Sequence, residues 1–317
     1  MTKFEAPRVA IIGTGQIGRG WAALIVAAGW PVAIYDADAD ALARAIDAIS
    51  DRVLTLVKVG RADGTVAEDS LNLIRVGRSL LHTVTDADWI IEAAPEELGV
   101  KQRLLEQIEQ VDRMAAVITS SASGLFPSAL SARLRRPERM LVAHPLDPVE
   151  LIPVVELIPG PTTDLECVEN VRLWLSLLGR APIVLRKEIE GNVLGRIQAA
   201  VWRECIHLVL DGVLDVEDAD RAVSLGPALA WAAGGPHLSN HLAAGDRGVD
   251  LYISTQMATY ESWWANLATW HKLERDEQIR LIKAVEKAYG GQTPELRERR
   301  DVTLARLLEA EQPPAAE

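Results

Sequence analysis

Residues Arg8-Val9-Ala10-Ile11-Ile12 run straight into Gly13-Thr14-Gly15-Gln16-Ile17-Gly18, and this junction constrains the fold more than any other stretch of the chain. A short apolar run, three spaced glycines and then an amphipathic pattern with Ile17, Trp21, Leu24, Ile25 and Ala28 on one face read as strand, tight turn and helix. Gly13 permits the turn, Gly15 lets the backbone approach a diphosphate, and Gly18 allows the helix to pack close to the strand. The unpaired amides at the helix start, with the helix dipole behind them, favour negative charge. A second apolar run, Val32-Ala33-Ile34-Tyr35, ends in Asp36. That carboxylate lies about 20 residues beyond the glycines, where it can accept hydrogen bonds from both hydroxyls of an adenosine ribose. It would repel a 2′-phosphate. Asp38 and Asp40 follow, with no Arg or Lys before Arg44, so NAD is favoured over NADP.

Up to about residue 190 the chain alternates short β-branched runs with helical patterns, as parallel βαβ units do. Strands are expected at 9–12, 32–35, 89–92, 116–119, 140–143, 153–158 and 181–185. The link 145–151 is too short for a crossover helix, so part of the sheet should be antiparallel. From 187 onward long helical patterns take over, at 192–210, 216–224, 251–273, 276–289 and 294–308. The expected class is α/β: a Rossmann-type doubly wound, mostly parallel sheet followed by an all-helical C-terminal domain. The expected division is 1–188 for NAD binding and 189–317 for substrate and dimer contacts. The Gly- and Pro-rich stretch 226–248 reads as a long irregular connection, and 312–317 as a frayed tail.

The chain's 317 residues suffice for two domains, and a net charge of -12 argues against nucleic-acid or membrane-surface partners, which need basic stripes. Cys167 and Cys205 make neither a disulfide framework nor a metal-ligand spacing. His237 and His241 are four residues apart, but no third ligand or HExxH pattern accompanies them, so no metal is expected. The N-terminus shows no basic segment followed by an apolar signal core, and the apolar stretch 21–30 is too short to cross a bilayer. A cytoplasmic enzyme is the expectation.

A second constellation lies in Met140-Leu141-Val142-Ala143-His144-Pro145-Leu146-Asp147-Pro148 and Ile152-Pro153-Val154-Val155-Glu156-Leu157. It places a histidine at the end of one strand and a glutamate inside the next. A glutamate in an apolar strand demands a partner. A carboxylate bonded to one ring nitrogen fixes the tautomer and stabilises the imidazolium, leaving the other nitrogen free as a base.

Through GTGQIG, WIIEAAPEELGVK, SSASGLFPS, ERMLVAHPLDPVELIPVVEL and KEIEGNVLGR, the chain resembles the 3-hydroxyacyl-CoA dehydrogenase superfamily along nearly its whole length. Within it, the likeness is to the branch acting on free hydroxy acids, the L-gulonate 3-dehydrogenase (lambda-crystallin) and L-carnitine dehydrogenase group. The resemblance implies that His144 is the general acid/base, Glu156 its partner, and Ser123 the ligand of the reacting oxygen. It implies cofactor contacts from Gly13, Gly15, Gln16, Ile17, Gly18, Asp36, Glu96, Lys101, Ser121 and Asp147, and a homodimer through the helical domain. By its spacing alone, Lys101 reads equally as a surface charge on a helix.

Departures from the family pattern bear on the substrate. The segment GFIVNR of the acyl-CoA enzymes here reads Gly191-Asn192-Val193-Leu194-Gly195-Arg196, so Gly195 replaces a substrate-binding asparagine. Asn192, one helical turn earlier, can supply the amide. Asp147 stands where the family carries asparagine, and Ala230 stands before Trp231 where the free-acid enzymes carry arginine. An extra acid and a missing base tilt the pocket toward a neutral or cationic substrate. Trp231 is a pocket candidate because it lies in the irregular stretch; Trp263, Trp264 and Trp270 suit either an aromatic cage or helix and subunit packing. The segment 51–64 offers only Arg52, Lys58 and Arg61 among Asp51 and Asp63, a poor match for CoA phosphates.

The reading is an NAD-dependent dehydrogenase of a small 3-hydroxy acid or related β-hydroxy compound, with a CoA thioester as the alternative substrate. A non-catalytic, NAD-binding structural protein is the alternative from another class.

Overall fold

Runs that are apolar at every position become strands buried on both faces, and they lie at the centre of a parallel sheet. The computed structural model describes residues 6–112, 114–291 and 293–310; the tail 312–317 lies outside them. Among the described residues eight strands form one sheet: Val9–Ile12 (β1), Val32–Tyr35 (β2), Ile74–Val76 (β3), Trp89–Glu92 (β4), Val117–Ser120 (β5), Met140–Pro145 (β6), Val154–Pro159 (β7) and Ala181–Val184 (β8). Their order is β3-β2-β1-β4-β5-β6-β7-β8, with every pair parallel except β6 with β7. The chain therefore reverses its direction of winding between β1 and β4, and a crevice opens at their carboxyl ends.

Alternation along β1 divides the core. Val9 and Ile11 join Trp21, Ile25, Ile34, Trp89 and Leu157 on one face, while Ala10 and Ile12 join Ile90, Leu105, Ile108 and Ile118 on the other. The first face is covered by helices Gln16–Ala27 (α1), Ala39–Ala43 (α2) and Ala45–Lys58 (α3), with Gly64–Ser70 (α4) packed on α1 and α3. On the other face lie Leu80–Val84 (α5), Leu98–Val111 (α6) and Pro127–Leu130 (α7). Leu165–Leu177 (α8) carries the chain from β7 to its parallel neighbour β8.

β3 was not among the expected strands. Its three residues, Ile74-Arg75-Val76, are too few and too polar to show a period, and only pairing with β2 makes them a strand. β5 begins one residue later than expected, at Val117.

By contacts, Met1–Arg196 with Arg299–Glu309 forms one unit, and Ile197–Glu298 is the body of the second. The later helices are Leu194–Leu210 (α9), Val216–Ser224 (α10), Pro227–Ala232 (α11), Gly235–Ala243 (α12), Gly248–Trp264 (α13), Arg275–Tyr289 (α14) and Pro294–Ala310 (α15). In the first unit, Ala305 of α15 packs with Leu56, Val59 and Leu151.

The stretch 226–248 is not irregular. It holds α11 and α12, each with a proline in its first turn, where the missing amide costs nothing. Its glycines stand at the junctions, as at Gly226, Gly234 and Gly248, so residues that looked like breakers are punctuation between short helices. α13 likewise ends at Trp264 rather than running to 273.

Candidate active site

The three glycines have separate duties. Gly13 has φ 104°, and a Cβ on it would stand 2.5 Å from the Ala93 carbonyl oxygen. A Cβ on Gly18 would meet the Gly13 carbonyl oxygen at 1.9 Å, whereas one on Gly15 would meet nothing within 4 Å. Gly13 and Gly18 thus let backbones touch, and Gly15 leaves open space at the helix start. A cavity of about 620 Å³ begins there, lined by Gly13, Gly15, Gln16, Asp36, Ala94 and Pro95 among others. Such a glycine-floored cavity at a helix N-terminus fits the diphosphate of NAD.

Asp36 is held ready at its edge. Its Oδ2 accepts the Thr14 N–H at 2.6 Å and the Thr14 hydroxyl at 2.9 Å, and Oδ1 accepts the Asp38 N–H at 2.9 Å. Thr14, the residue between the first two glycines, therefore orients the ribose-binding candidate.

Beneath the cavity lies a buried ionic network. Lys101, 1 % exposed, donates to both oxygens of Glu92 at 2.9 and 3.1 Å and to the Ala94 carbonyl at 2.9 Å. Glu92 also accepts from the Ala94 N–H at 2.7 Å and from the Ser120 hydroxyl. Lys101 is thus not the surface charge its spacing allowed; it is the counter-ion of a carboxylate at the end of β4. A buried pair of this kind is tolerable because hydrogen bonds fill its remaining valences. Glu92 escaped the reading of the sequence, although an acid closing the run Trp-Ile-Ile-Glu carries the same signal that marked Glu156.

Glu96 extends the network upward. It lies 3.7 Å from the Lys101 ammonium, and its Oε1 accepts the N–H groups of Ser123 at 2.8 Å and Gly124 at 3.0 Å. Ser121 sits below that turn, accepting the Trp21 indole N–H on its hydroxyl at 3.0 Å.

His144 and Glu156 are direct register partners across β6 and β7, and His144 Nδ1 lies 2.7 Å from Glu156 Oε2. Both are buried, Glu156 completely. Burial, the largest single influence on Glu156, pushes its pKa up. The hydrogen bonds from His144, Leu194 N–H and Val193 N–H, with attraction to His144, outweigh it and hold the carboxyl below its ordinary range. An ionised carboxylate can only accept, so Nδ1 carries the hydrogen and Nε2 is left as the base.

Residues 192–194 meet both groups. Glu156 Oε1 accepts the N–H of Val193 at 2.7 Å and of Leu194 at 3.0 Å, while the Asn192 side-chain amide donates to the Ser123 carbonyl at 3.0 Å. Gln16 reaches Asp147 at 3.4 Å, and Asp147 lies 3.9 Å from Arg52, whose guanidinium binds Glu150 at 2.5 and 2.7 Å. The acid at 147 is therefore partly offset by Arg52, a term the sequence did not show.

In the second unit, Trp231 lies on α11, not on a loop, and is 38 % exposed. Trp263 and Trp264 gather around Tyr260 of the same helix, with ring centroids 5.2 and 5.9 Å away. His241 accepts the Val249 N–H at 3.0 Å, and among the described residues no group of three or more His, Cys, Asp and Glu could hold a metal ion.

The 3-hydroxyacyl-CoA dehydrogenase NAD binding domain matches residues 8–189, and the 3-hydroxyacyl-CoA dehydrogenase C-terminal domain matches 191–284. The L-carnitine dehydrogenase of Bacillus cereus is 35% identical over 310 residues, covering 98% of this chain and 94% of its own. That of Oceanobacillus iheyensis is 35% identical over 303 residues, covering 95% and 97%. Among solved structures, 5-formyl-3-hydroxy-2-methylpyridine 4-carboxylic acid 5-dehydrogenase, described as an NAD+-dependent dismutase, matches with a TM-score of 0.79 and 28% identity, covering 97% of this chain and 100% of its own. A 3-hydroxyacyl-CoA dehydrogenase from Archaeoglobus fulgidus matches with a TM-score of 0.67 and 26% identity, covering 96% and 98%.

Proposed function

The chain belongs to the 3-hydroxyacyl-CoA dehydrogenase family of NAD-dependent oxidoreductases acting on CH–OH groups, and on that premise we propose that it oxidises a small free 3-hydroxy acid through a His144–Glu156 dyad. The observation that carries this reading is the 2.7 Å contact between His144 Nδ1 and a carboxylate held ionised by the Val193 and Leu194 amides. With Nδ1 committed, His144 Nε2 takes the hydroxyl proton of the substrate. Glu156 stabilises the resulting imidazolium, and the Ser123 hydroxyl orients the reacting oxygen. Bound NAD supplies the hydride acceptor. Gly13, Gly15, Gln16, Ile17, Gly18 and Asp36 hold it, with Glu96, Lys101, Ser121 and Asp147 shaping the nicotinamide side.

We assign cofactor binding to 1–188 and substrate enclosure to 189–317, with Trp231 as a substrate contact. The exposed apolar side chains of the second unit, among them Trp202, Leu225, Leu242, Trp263 and Trp264, support a homodimer through the helical domain. Among the described residues no helix is long and apolar enough to cross a membrane, and we read the enzyme as cytoplasmic.

L-Carnitine, on which the bacterial relatives are named, is a 3-hydroxy acid with a fixed cation, which the acid at Asp147 suits; Ala230 leaves the carboxylate without the arginine of the free-acid branch, so another cation must take that place. Arg52, one of the few bases available to a CoA phosphate, is turned onto Glu150 instead. The test is NADH formation in one plate with L-carnitine, L-gulonate, L-3-hydroxybutyrate, neutral and amino-substituted secondary alcohols, and 3-hydroxybutyryl-CoA. Turnover of the free acids is expected. Turnover confined to the CoA thioester, or NAD binding with no turnover at all, would overturn the reading.

A further inference from the structure

Asn192 adopts a left-handed backbone, φ 50°, immediately after Gly191 at φ 75°. Two successive residues of this hand are uncommon, and asparagine is among the few side chains that tolerate the region. The turn has a definite product. It swings the chain so that the amides of Val193 and Leu194, orphan donors at the start of α9, converge on Glu156 Oε1 at 2.7 and 3.0 Å. The same turn aims the Asn192 side chain the other way, onto the Ser123 carbonyl at 3.0 Å.

The Ser123 peptide is consequently gripped from both sides. Its N–H is taken by Glu96 at 2.8 Å and its carbonyl by Asn192. Glu96 belongs to the Lys101 network under the cofactor cavity, and the residues following Asn192 belong to the dyad. Asn192 is also buried, 6 % exposed, so its amide works in a setting where solvent competes little.

We propose that Asn192 is a positioning residue: its left-handed corner couples the Ser123 turn to Glu156 and so sets the spacing between the Ser123 hydroxyl and His144, the two groups that share the substrate oxygen. The role is mechanical. The side-chain hydrogen bond that Asn192 makes to the Ser123 carbonyl lies within the protein, and this is the bond the proposal uses, in place of the substrate contact expected from the sequence. Its consequence rests on the dehydrogenase reading above, but the coupling itself does not. On that reading both groups hold the substrate oxygen, and a small displacement of one against the other is felt steeply in rate.

Two variants remove the amide without forbidding the backbone. Asn192→Gly keeps the left-handed φ, and Asn192→Asp keeps shape while replacing the donor with an acceptor facing a carbonyl. The first measurement is backbone hydrogen exchange of wild type and both variants. Exchange over 121–126 should quicken on the order of fivefold in the variants, while β6 is unchanged. Unaltered exchange over 121–126 in both variants would overturn the coupling, whether or not the enzyme turns over any compound in the panel. A variant that fails to bind NADH is set aside as misfolded and the other one decides; loss of NADH binding in both, with a collapsed melting transition, would show a structural role only and overturn the proposal.

The second measurement is a double-mutant cycle with Ser123→Ala, reading kcat and KM on the panel compound of highest turnover. Each Asn192 variant should lose on the order of 10- to 100-fold in kcat with KM for NAD little changed, and should cost almost nothing more once Ser123 is already alanine. Additive losses would overturn the proposal, because they would mean that Asn192 acts otherwise than through Ser123. If Ser123→Ala alone is fully active while exchange over 121–126 responds as expected, the coupling stands and the role given to Ser123 in the proposed function falls.

Discussion

His144 and Glu156 face each other across the antiparallel pair of β6 and β7, so the 2.7 Å contact between them is dictated by strand register rather than by side-chain adjustment. A one-residue slip of β7 would turn Glu156 to the opposite face of the sheet and abolish the dyad. The register is itself protected, because Ala143, Leu157 and their neighbours are buried on the other face.

Replacing His144 by alanine should remove most of kcat while leaving NAD affinity little changed, because His144 is not among the residues lining the cavity assigned to the diphosphate and ribose. Steady-state kinetics beside NADH fluorescence titration checks both halves. Equal activity of wild type and variant would sink the mechanism.

The carboxyl of Glu156 is held below its ordinary range in the folded protein, so it contributes stability at pH values above the ordinary glutamate value of about 4.3. That contribution is lost as pH falls through the lower folded value. In Glu156→Gln the acid-side fall in melting temperature should be shallower than in wild type. Melting curves from neutral pH down into that window test the sign, and kcat should drop in the same variant because the imidazolium loses its counter-ion.

Asp36→Ala should weaken NAD binding by roughly tenfold with kcat at saturating NAD little altered, since the lost contacts are the same in ground and transition state. Thr14→Val should show a weaker version of the same defect, because one of two Thr14 donors to Asp36 remains on the backbone. Isothermal titration with NAD measures both.

Lys101→Met leaves Glu92 buried without its cation, and the expected destabilisation is about 3–5 kcal/mol. Denaturant unfolding reads it directly. A loss under about 1 kcal/mol would show that the hydrogen bonds from Ala94 and Ser120 suffice for the carboxylate.

Much of this site is legible in the sequence. The glycine turn, Asp36 and the parallel strands obey local rules, and each can be read within a window of some twenty residues. His144 and Glu156 were legible for another reason: a charge inside an apolar strand cannot stay unpartnered, and the neighbouring strand carried one suitable partner. Glu92 shows the limit of that logic. It bore the same mark, but its partner Lys101 lies nine positions on in a helix whose spacing equally allowed a surface charge.

Local pattern therefore determined the class of fold, the cofactor and the pairing of His144 with Glu156, because strand period, turn stereochemistry and the cost of burying charge act over short stretches of chain. Tertiary structure alone decided that β3 is a strand, that 226–248 is helical, that Lys101 is buried and that Arg52 answers Asp147. It also decided that Asn192 binds the Ser123 carbonyl, 69 residues away, while the next two amides bind Glu156. Such pairings cost nothing to leave unmade in an unfolded chain, where water satisfies every group; they become compulsory only when folding removes that water.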